Sequence, residues 1–301
     1  MSMQNIWAPR TSAVEVLELE LDAEVRPAGG AMGAYVRGID LRDVGPSELQ
    51  QIQMLLHRYK AVMFRGQSPE LSIEQYVEFG SKLVELAGDP VVEPPFSEHP
   101  QVMGLVREAQ DTTYNFGGDW HSDGSYLERP GGLTVLWGSD VPPYGGDTLF
   151  ANLELAWASL SPAYREMLAG RRCRHAATGL GTRVPITRKG DYASVNFGAG
   201  QEVVEHYHPI CRTHPDTNGQ SLFLNQAYSV QIEGCTEDES AGILRFLFDW
   251  SATPAMTVRM VWEPDTILIW DNRNTAHYAV ADYGGFRREM YRLAVIGERP
   301  I

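Results

Sequence analysis

A chain of 301 residues that is 43% apolar and 21% charged has the composition of a soluble globular protein, long enough to bury a large core. Its net charge of −14, without a dense lysine or arginine run, argues against nucleic acid as a partner, and no apolar run is long enough to span a membrane. Cys173, Cys211 and Cys235 lack metal-type spacing and the N-terminal "MSMQNIWAPR" lacks a basic-then-apolar leader pattern, so reduced thiols in a cytoplasmic protein are expected.

In chain order, "VEVLELELDAEV" alternates strictly and reads as a strand, as does "GAYVRGIDL". Ser47 with Gln50, then Ser72 with Gln75, fit capping boxes for two helices, the second with Leu71 and Tyr76 as its staple. The short apolar "AVMF" between them reads as a buried strand. From about residue 100 short β-type runs dominate. "GLTVLWGSDV" and "TLFANL" flank the turn "PPYGGD", and "SLFLN", "TVRMVW", "TILIWD" and "RREMYRLAVIG" follow. Two helices are expected in this half, one from Ser161-Pro162 to Gly170, the other from Thr236, with Glu239 as capping partner, to about Trp250. Many short strands without β-α alternation predict a mainly β fold with flanking helices, a barrel or jelly roll. One domain over 1–301 is expected, with about 1–24 as an N-terminal extension and first strand.

The stretch "DWHSDGS" carries the first chemical signal. If it is extended, His121 and Asp123 point to one face and can reach one ion, although alone the pair fits a structural polar contact as well. "WDNRNTAHYAVADY" follows the apolar "TILIW" and places His277 at a strand end. Two imidazoles and one carboxylate leave metal positions vacant, a set that suits Fe(II) with a bidentate ligand and dioxygen. Arg288 and Arg292 are four apart on a predicted strand, hence on one face. Guanidiniums facing the interior require anions, and their planar fork suits carboxylates. A dicarboxylate that also chelates iron, such as 2-oxoglutarate, would satisfy one of them.

These residues resemble the taurine dioxygenase/2,4-dichlorophenoxyacetate dioxygenase (TauD/TfdA) family of Fe(II)- and 2-oxoglutarate-dependent oxygenases. "WHSD" is similar to its W-H-x-D motif, "GGDTLFAN" to its G-G-D-T segment, and "IWDNRNTAHYAVADYGGFRREMYRLAVIGERP" to its C-terminal block. "VRGIDL", "VMFRGQ" and "HPICRTHPDTNGQSLFLN" extend the likeness from about residue 25 to the end. The resemblance implies a double-stranded β-helix (cupin-like jelly roll), iron held by His121, Asp123 and His277, and the distal carboxylate of 2-oxoglutarate held by Thr148 and Arg288. It implies oxidation of a substrate C–H bond by dioxygen, with succinate and CO2 as co-products. It sets Asp123 against halogenation, since halogenating relatives lack that carboxylate.

On the same ground Arg292 is expected to meet an anionic group of a small-molecule substrate, most plausibly a carboxylate, with a salt bridge to Glu289 or Glu298 as its structural alternative. Tyr228 and Tyr126 with Tyr114 and Phe116 are expected to wall the pocket, and Gly124, Gly131 and Gly132 to leave room in it. Asp89 and Val92 in "VELAGDPVV", and Gly117, depart from the taurine-binding pattern and argue against taurine. His206, His208 and His214 offer a rival metal set, a zinc hydrolase or a catalytically silent binding protein is the alternative function, and a homo-oligomer remains open.

Overall fold

Side chains that alternate between two apolar environments build the largest sheet. The computed structural model describes residues 23–83, 86–87, 96, 98–112, 117–177 and 204–301. Its strands are β1 (Glu24–Pro27), β2 (Ala34–Arg37), β3 (Ala61–Phe64), β4 (Leu86–Ala87), β5 (Val102–Arg107), β6 (Gly131–Asp140), β7 (Thr148–Asn152) and β8 (Arg172–Ala176), then β9 (Glu205–Pro209), β10 (Cys211–Thr213), β11 (Gln220–Leu222), β12 (Ser229–Ile232), β13 (Thr257–Met260), β14 (Thr266–Asp271), β15 (Thr275–Ala279) and β16 (Arg288–Ile296). Strands β1-β2-β3-β14-β6-β16-β4 form the large sheet in that order, and β5 also pairs with β16. A smaller sheet, β13-β7-β15, supplies the second layer.

The large sheet buries both faces. Val62, Phe64, Val135, Trp137, Ile267, Ile269 and Leu293 point outward against helices α1 (Pro46–Tyr59) and α2 (Ile73–Leu83). Their strand neighbours Ala61, Met63, Leu136, Leu268, Trp270 and Met290 point inward and meet Phe150, Val258 and Met260 of the small sheet. The period-2 rule therefore assigns each residue of β6, β14 and β16 to helix or interior. Arg288 and Arg292 share the inner row with Met290.

Helices α3 (Leu153–Ser159), α4 (Pro162–Leu168) and α5 (Glu237–Ser251) pack on one flank with β8, β11 and β12 around a second apolar cluster that includes Trp157, Leu222, Ile232 and Leu247. Helix α4 starts at Ser161, whose hydroxyl accepts from Tyr164 N, and α5 carries the expected Thr236/Glu239 box. The Ser72/Gln75 box is likewise formed, with reciprocal bonds of 3.0 and 3.2 Å.

Three expectations need correction or a limit. Helix α1 begins two residues earlier than expected, because Gly45 is the cap, Pro46 opens the first turn, and Glu48 rather than Gln50 reaches back to the cap N–H at 3.0 Å. Helix α3 was not expected: it continues from β7 without a break, and Asn152 caps it by accepting from Leu155 N. Of "VEVLELELDAEV", only the end lies within the described residues, where Glu24 and Val25 belong to β1. No helix among the described residues is long and apolar enough to cross a membrane.

Candidate functional site

His121 and His277 exchange backbone hydrogen bonds as an antiparallel bridge beside β15, 3.0 Å one way and 2.7 Å the other. This sets the two rings 4.0 Å apart between centroids. The turn after His121 brings Asp123 beneath them, with Oδ1 3.7 Å from His121 Nε2 and 3.8 Å from His277 Nε2. One donor atom from each of the three lies within 4.8 Å of the others, and all three residues are buried.

The protonation states suit a cation. Burial pushes both imidazoles below their ordinary value, more strongly at His277, so both are neutral. His121 Nδ1 lies 2.7 Å from the Asp119 carbonyl, which can only accept, so Nδ1 carries the proton and Nε2 presents a lone pair to the centre. Burial alone would raise the Asp123 carboxyl. The Arg292 guanidinium beside it and the Thr134 hydroxyl act the other way, and the group is held ionised, well below the usual carboxylate range. His277 is braced by Trp270 at 4.7 Å and Phe150 at 5.8 Å between ring centroids.

Behind Asp123 lies a set of hydrogen bonds that the sequence did not disclose. Thr134 Oγ1 donates to Asp123 Oδ2 at 2.7 Å and accepts from Asn272 Nδ2 at 2.8 Å, while Asn272 Oδ1 accepts from Trp270 Nε1 and Asp123 N at 3.0 and 3.1 Å. A polar residue on the inner row of an apolar strand was the available signal for Thr134.

Arg288 is a buried cation that donates from Nη2 to the Gly146 carbonyl at 3.2 Å, its one hydrogen bond among the described residues, with the Tyr283 ring 5.7 Å from its Cζ. Its Nε has no partner among the described residues. Burial lowers its pKa from the ordinary value, the mark of a charge short of anions. Gly146, at φ 66°, permits this approach, since a Cβ there would lie 3.3 Å from Arg288 Nε. Thr148 starts β7 next to this turn and its hydroxyl accepts from Trp262 Nε1 at 3.1 Å, leaving its own proton to donate.

Arg292 reaches the triad directly: Nη2 lies 3.2 Å from Asp123 Oδ1. Glu298 instead pairs with buried Arg212, and Glu289 with Arg287 at 3.1 Å, so the structural alternatives for Arg292 are taken by other arginines. Tyr228 sits edge-on to His121, 6.3 Å between centroids, and Tyr126 packs on Tyr228 at 4.9 Å. Phe116, Tyr114, Asp89 and Val92 lie outside the described residues. Gly131 and Gly132 do not leave room as expected. A Cβ on Gly131 would sit 3.2 Å from the Asp123 carbonyl, and one on Gly132 would sit 3.3 Å from Gly297 Cα, so both serve close packing.

The rival histidines do not converge. His206 Nδ1 meets the Tyr126 carbonyl at 3.1 Å, His208 Nε2 the Leu127 carbonyl at 2.9 Å, and His214 Nε2 the Asp271 carboxylate at 2.9 Å. His208 and its buried neighbour His175, 5.4 Å away between centroids, have instead a consequence for stability. Burial, then mutual repulsion, pushes His175 down to about 3, and burial pushes His208 down to about 4. Both values lie below that of the unfolded chain, so on acidification from about pH 6.5 the unfolded state takes up more protons and stability falls. Each histidine adds a slope of up to about 1.4 kcal/mol per pH unit. Urea unfolding of His208→Gln should lose less stability between pH 7 and pH 5 than the wild type; an equal or greater loss would contradict the assignment.

A family model described as taurine catabolism dioxygenase TauD, TfdA family, matches residues 24–294. An alpha-ketoglutarate-dependent sulfate ester dioxygenase of Pseudomonas putida is 29% identical, covering 93% of this chain and 92% of its own. An alpha-ketoglutarate-dependent sulfonate dioxygenase of Saccharomyces cerevisiae is 28% identical, covering 90% and 66%. Among solved structures, a taurine dioxygenase from Burkholderia xenovorans superposes with a TM-score of 0.77 at 32% identity, covering 93% and 91%. The expected jelly-roll fold is thereby established.

Proposed function

Since the chain belongs to the taurine catabolism dioxygenase (TauD/TfdA) family, we propose that His121, Asp123 and His277 hold its Fe(II) and that it oxidises a small anionic substrate. The family's cofactor chemistry makes the chain a 2-oxoglutarate-dependent non-haem iron dioxygenase. Bound Fe(II) with 2-oxoglutarate and dioxygen supplies the oxidant for a C–H bond, with succinate and CO2 as co-products. The donor set fits that ion: two neutral imidazoles and one ionised carboxylate, converging in a buried place and leaving metal positions for other ligands. A zinc hydrolase would have no use for Arg288.

The chain's own residues do the rest. Arg288, whose Nε has no partner among the described residues, and Thr148, with a hydroxyl proton to give, are suited to the distal carboxylate of the keto acid. Tyr228 and Tyr126 give the triad an apolar flank that excludes water and accommodates the body of a substrate.

The single observation behind the anionic substrate is Arg292, a buried guanidinium aimed at the triad. The relatives named for sulfate esters and sulfonates handle the same head-group chemistry as a carboxylate: planar or tetrahedral oxyanions that a guanidinium fork can grip. Taurine itself is not the expected substrate, since Gly117, which lies against His121, has no side chain to offer it and departs from the taurine-binding pattern. A panel of carboxylates, sulfonates and sulfate esters with apolar bodies, read by substrate-dependent succinate formation, tests this. With a substrate found, Arg292→Lys should weaken its binding by about 1–3 kcal/mol, because the charge remains but the fork is lost. Binding of 2-oxoglutarate should change little. A neutral substrate, or equal losses for both ligands, would remove Arg292 from the substrate site.

A further inference from the structure

We propose that Trp270, Asn272 and Thr134 form a positioning relay that decides which oxygen of Asp123 faces the metal. The proposal rests on the reading of the triad as the metal centre, and it concerns residues that act through Asp123 and do not themselves belong to the triad.

The relay follows from what each group can do. Asn272 Oδ1 lies within hydrogen-bond distance of two groups that can only donate, the Trp270 indole N–H at 3.0 Å and the Asp123 amide N–H at 3.1 Å. The amide is therefore not free to flip, and its NH2 must lie on the other side. There Nδ2 donates to Thr134 Oγ1 at 2.8 Å. A hydroxyl that accepts this bond has one proton left, and it goes to Asp123 Oδ2 at 2.7 Å. With Oδ2 engaged by Thr134, Oδ1 faces His121 Nε2 and His277 Nε2, and the Arg292 guanidinium lies 3.2 Å from the same oxygen.

The fold holds every member still. Trp270 and Thr134 are direct partners across β14 and β6, so their side chains share the inner face. Asn272 follows β14, and its amide N donates to the Gly132 carbonyl at 2.8 Å. Asn272 and Thr134 are 0% exposed and Trp270 is 1% exposed, so water does not compete for these bonds. The same indole packs on His277, which ties the orientation of a second member of the triad to the relay.

Without the Thr134 hydroxyl, the Asp123 carboxylate can turn about its Cβ–Cγ bond and offer either oxygen, or both, to an ion. Outer partners of this kind change metal affinity by about 10-fold to 100-fold when removed.

The test is anaerobic titration of the purified full chain with Co(II), following affinity and the visible ligand-field spectrum, beside the melting temperature of the metal-free protein. Thr134→Val keeps the volume and loses the donor. It should bind Co(II) about 10-fold to 100-fold more weakly, with a changed spectrum, while Thr134→Ser restores both. Thr134→Ala serves the same comparison if the valine variant does not fold. If either variant folds and binds Co(II) with wild-type affinity and spectrum, whatever its melting temperature, the hydroxyl is structural and the relay is wrong. Failure of serine to restore binding overturns it too. A wild-type chain that takes no Co(II) overturns the metal reading itself, which separates the two failures.

Discussion

Arg288→Ala should weaken 2-oxoglutarate binding by about 30-fold to several thousand-fold, the equivalent of roughly 2–5 kcal/mol for a buried charge pair losing one member. The size of the effect follows from how Arg288 is held. Among the described residues it has a single hydrogen bond, to the Gly146 carbonyl, and an Nε with no partner. A dicarboxylate end would complete its requirements with two parallel charged bonds, and alanine offers none. Thr148→Val removes one neutral donor and should cost only about 0.5–1.5 kcal/mol. Anaerobic titration of the iron-loaded variants with 2-oxoglutarate gives both numbers. An unchanged titration in Arg288→Ala would sink the assignment of this arginine.

Loss of any one triad member should remove substrate oxidation altogether. Three donor atoms within 4.8 Å leave no spare ligand: after His277→Ala or Asp123→Ala two remain, too few to hold the ion or order its open positions. Asp123→Ala has a second cost. It takes the acceptor from the Thr134 hydroxyl and the carboxylate from Arg292, each a buried group left short of a bond, worth about 1–3 kcal/mol of stability. Metal content after anaerobic loading, substrate-dependent succinate formation and urea unfolding separate the two effects. Iron bound at wild-type stoichiometry in Asp123→Ala, with turnover intact, would show that the centre lies elsewhere.

What was legible in the sequence is what local spacing encodes. Arg288 and Arg292 stand on one face of a strand, where period-2 geometry pairs them; His121 and Asp123 are close in sequence, but a turn after His121, not the expected extended stretch, brings them together. The residue that joins them, His277, is paired with His121 by a backbone bridge between distant segments; its place after the apolar "TILIW" made it a candidate, and the family likeness implied its role as a ligand. Thr134 and Asn272 stayed hidden because their partners lie across the sheet: neither a threonine in "GLTVLW" nor an asparagine after "IWD" announces a hydrogen bond to Asp123.

Elements failed where two signals competed. Glu48 and Gln50 both offer a side chain to a helix start, and Pro46 settles it in favour of the earlier cap at Gly45. In "TLFANLELAWAS" the strand turns into helix α3 at Asn152, a residue that both ends the ladder and caps the helix, so no glycine or proline marks the boundary. Gly131 and Gly132 looked like open space, yet backbone and the neighbouring Asn272 amide already fill it.

The most direct test of the central claim is the visible absorption of the chain on anaerobic addition of Fe(II) and 2-oxoglutarate, compared with His277→Ala and His208→Ala. A metal-to-ligand charge-transfer band requires the ion and the keto acid in contact at one site. The wild type and His208→Ala should develop it, because His208 is engaged with the Leu127 carbonyl away from the triad, and His277→Ala should not. A band missing from the wild type, or kept by His277→Ala and lost by His208→Ala, would contradict the account.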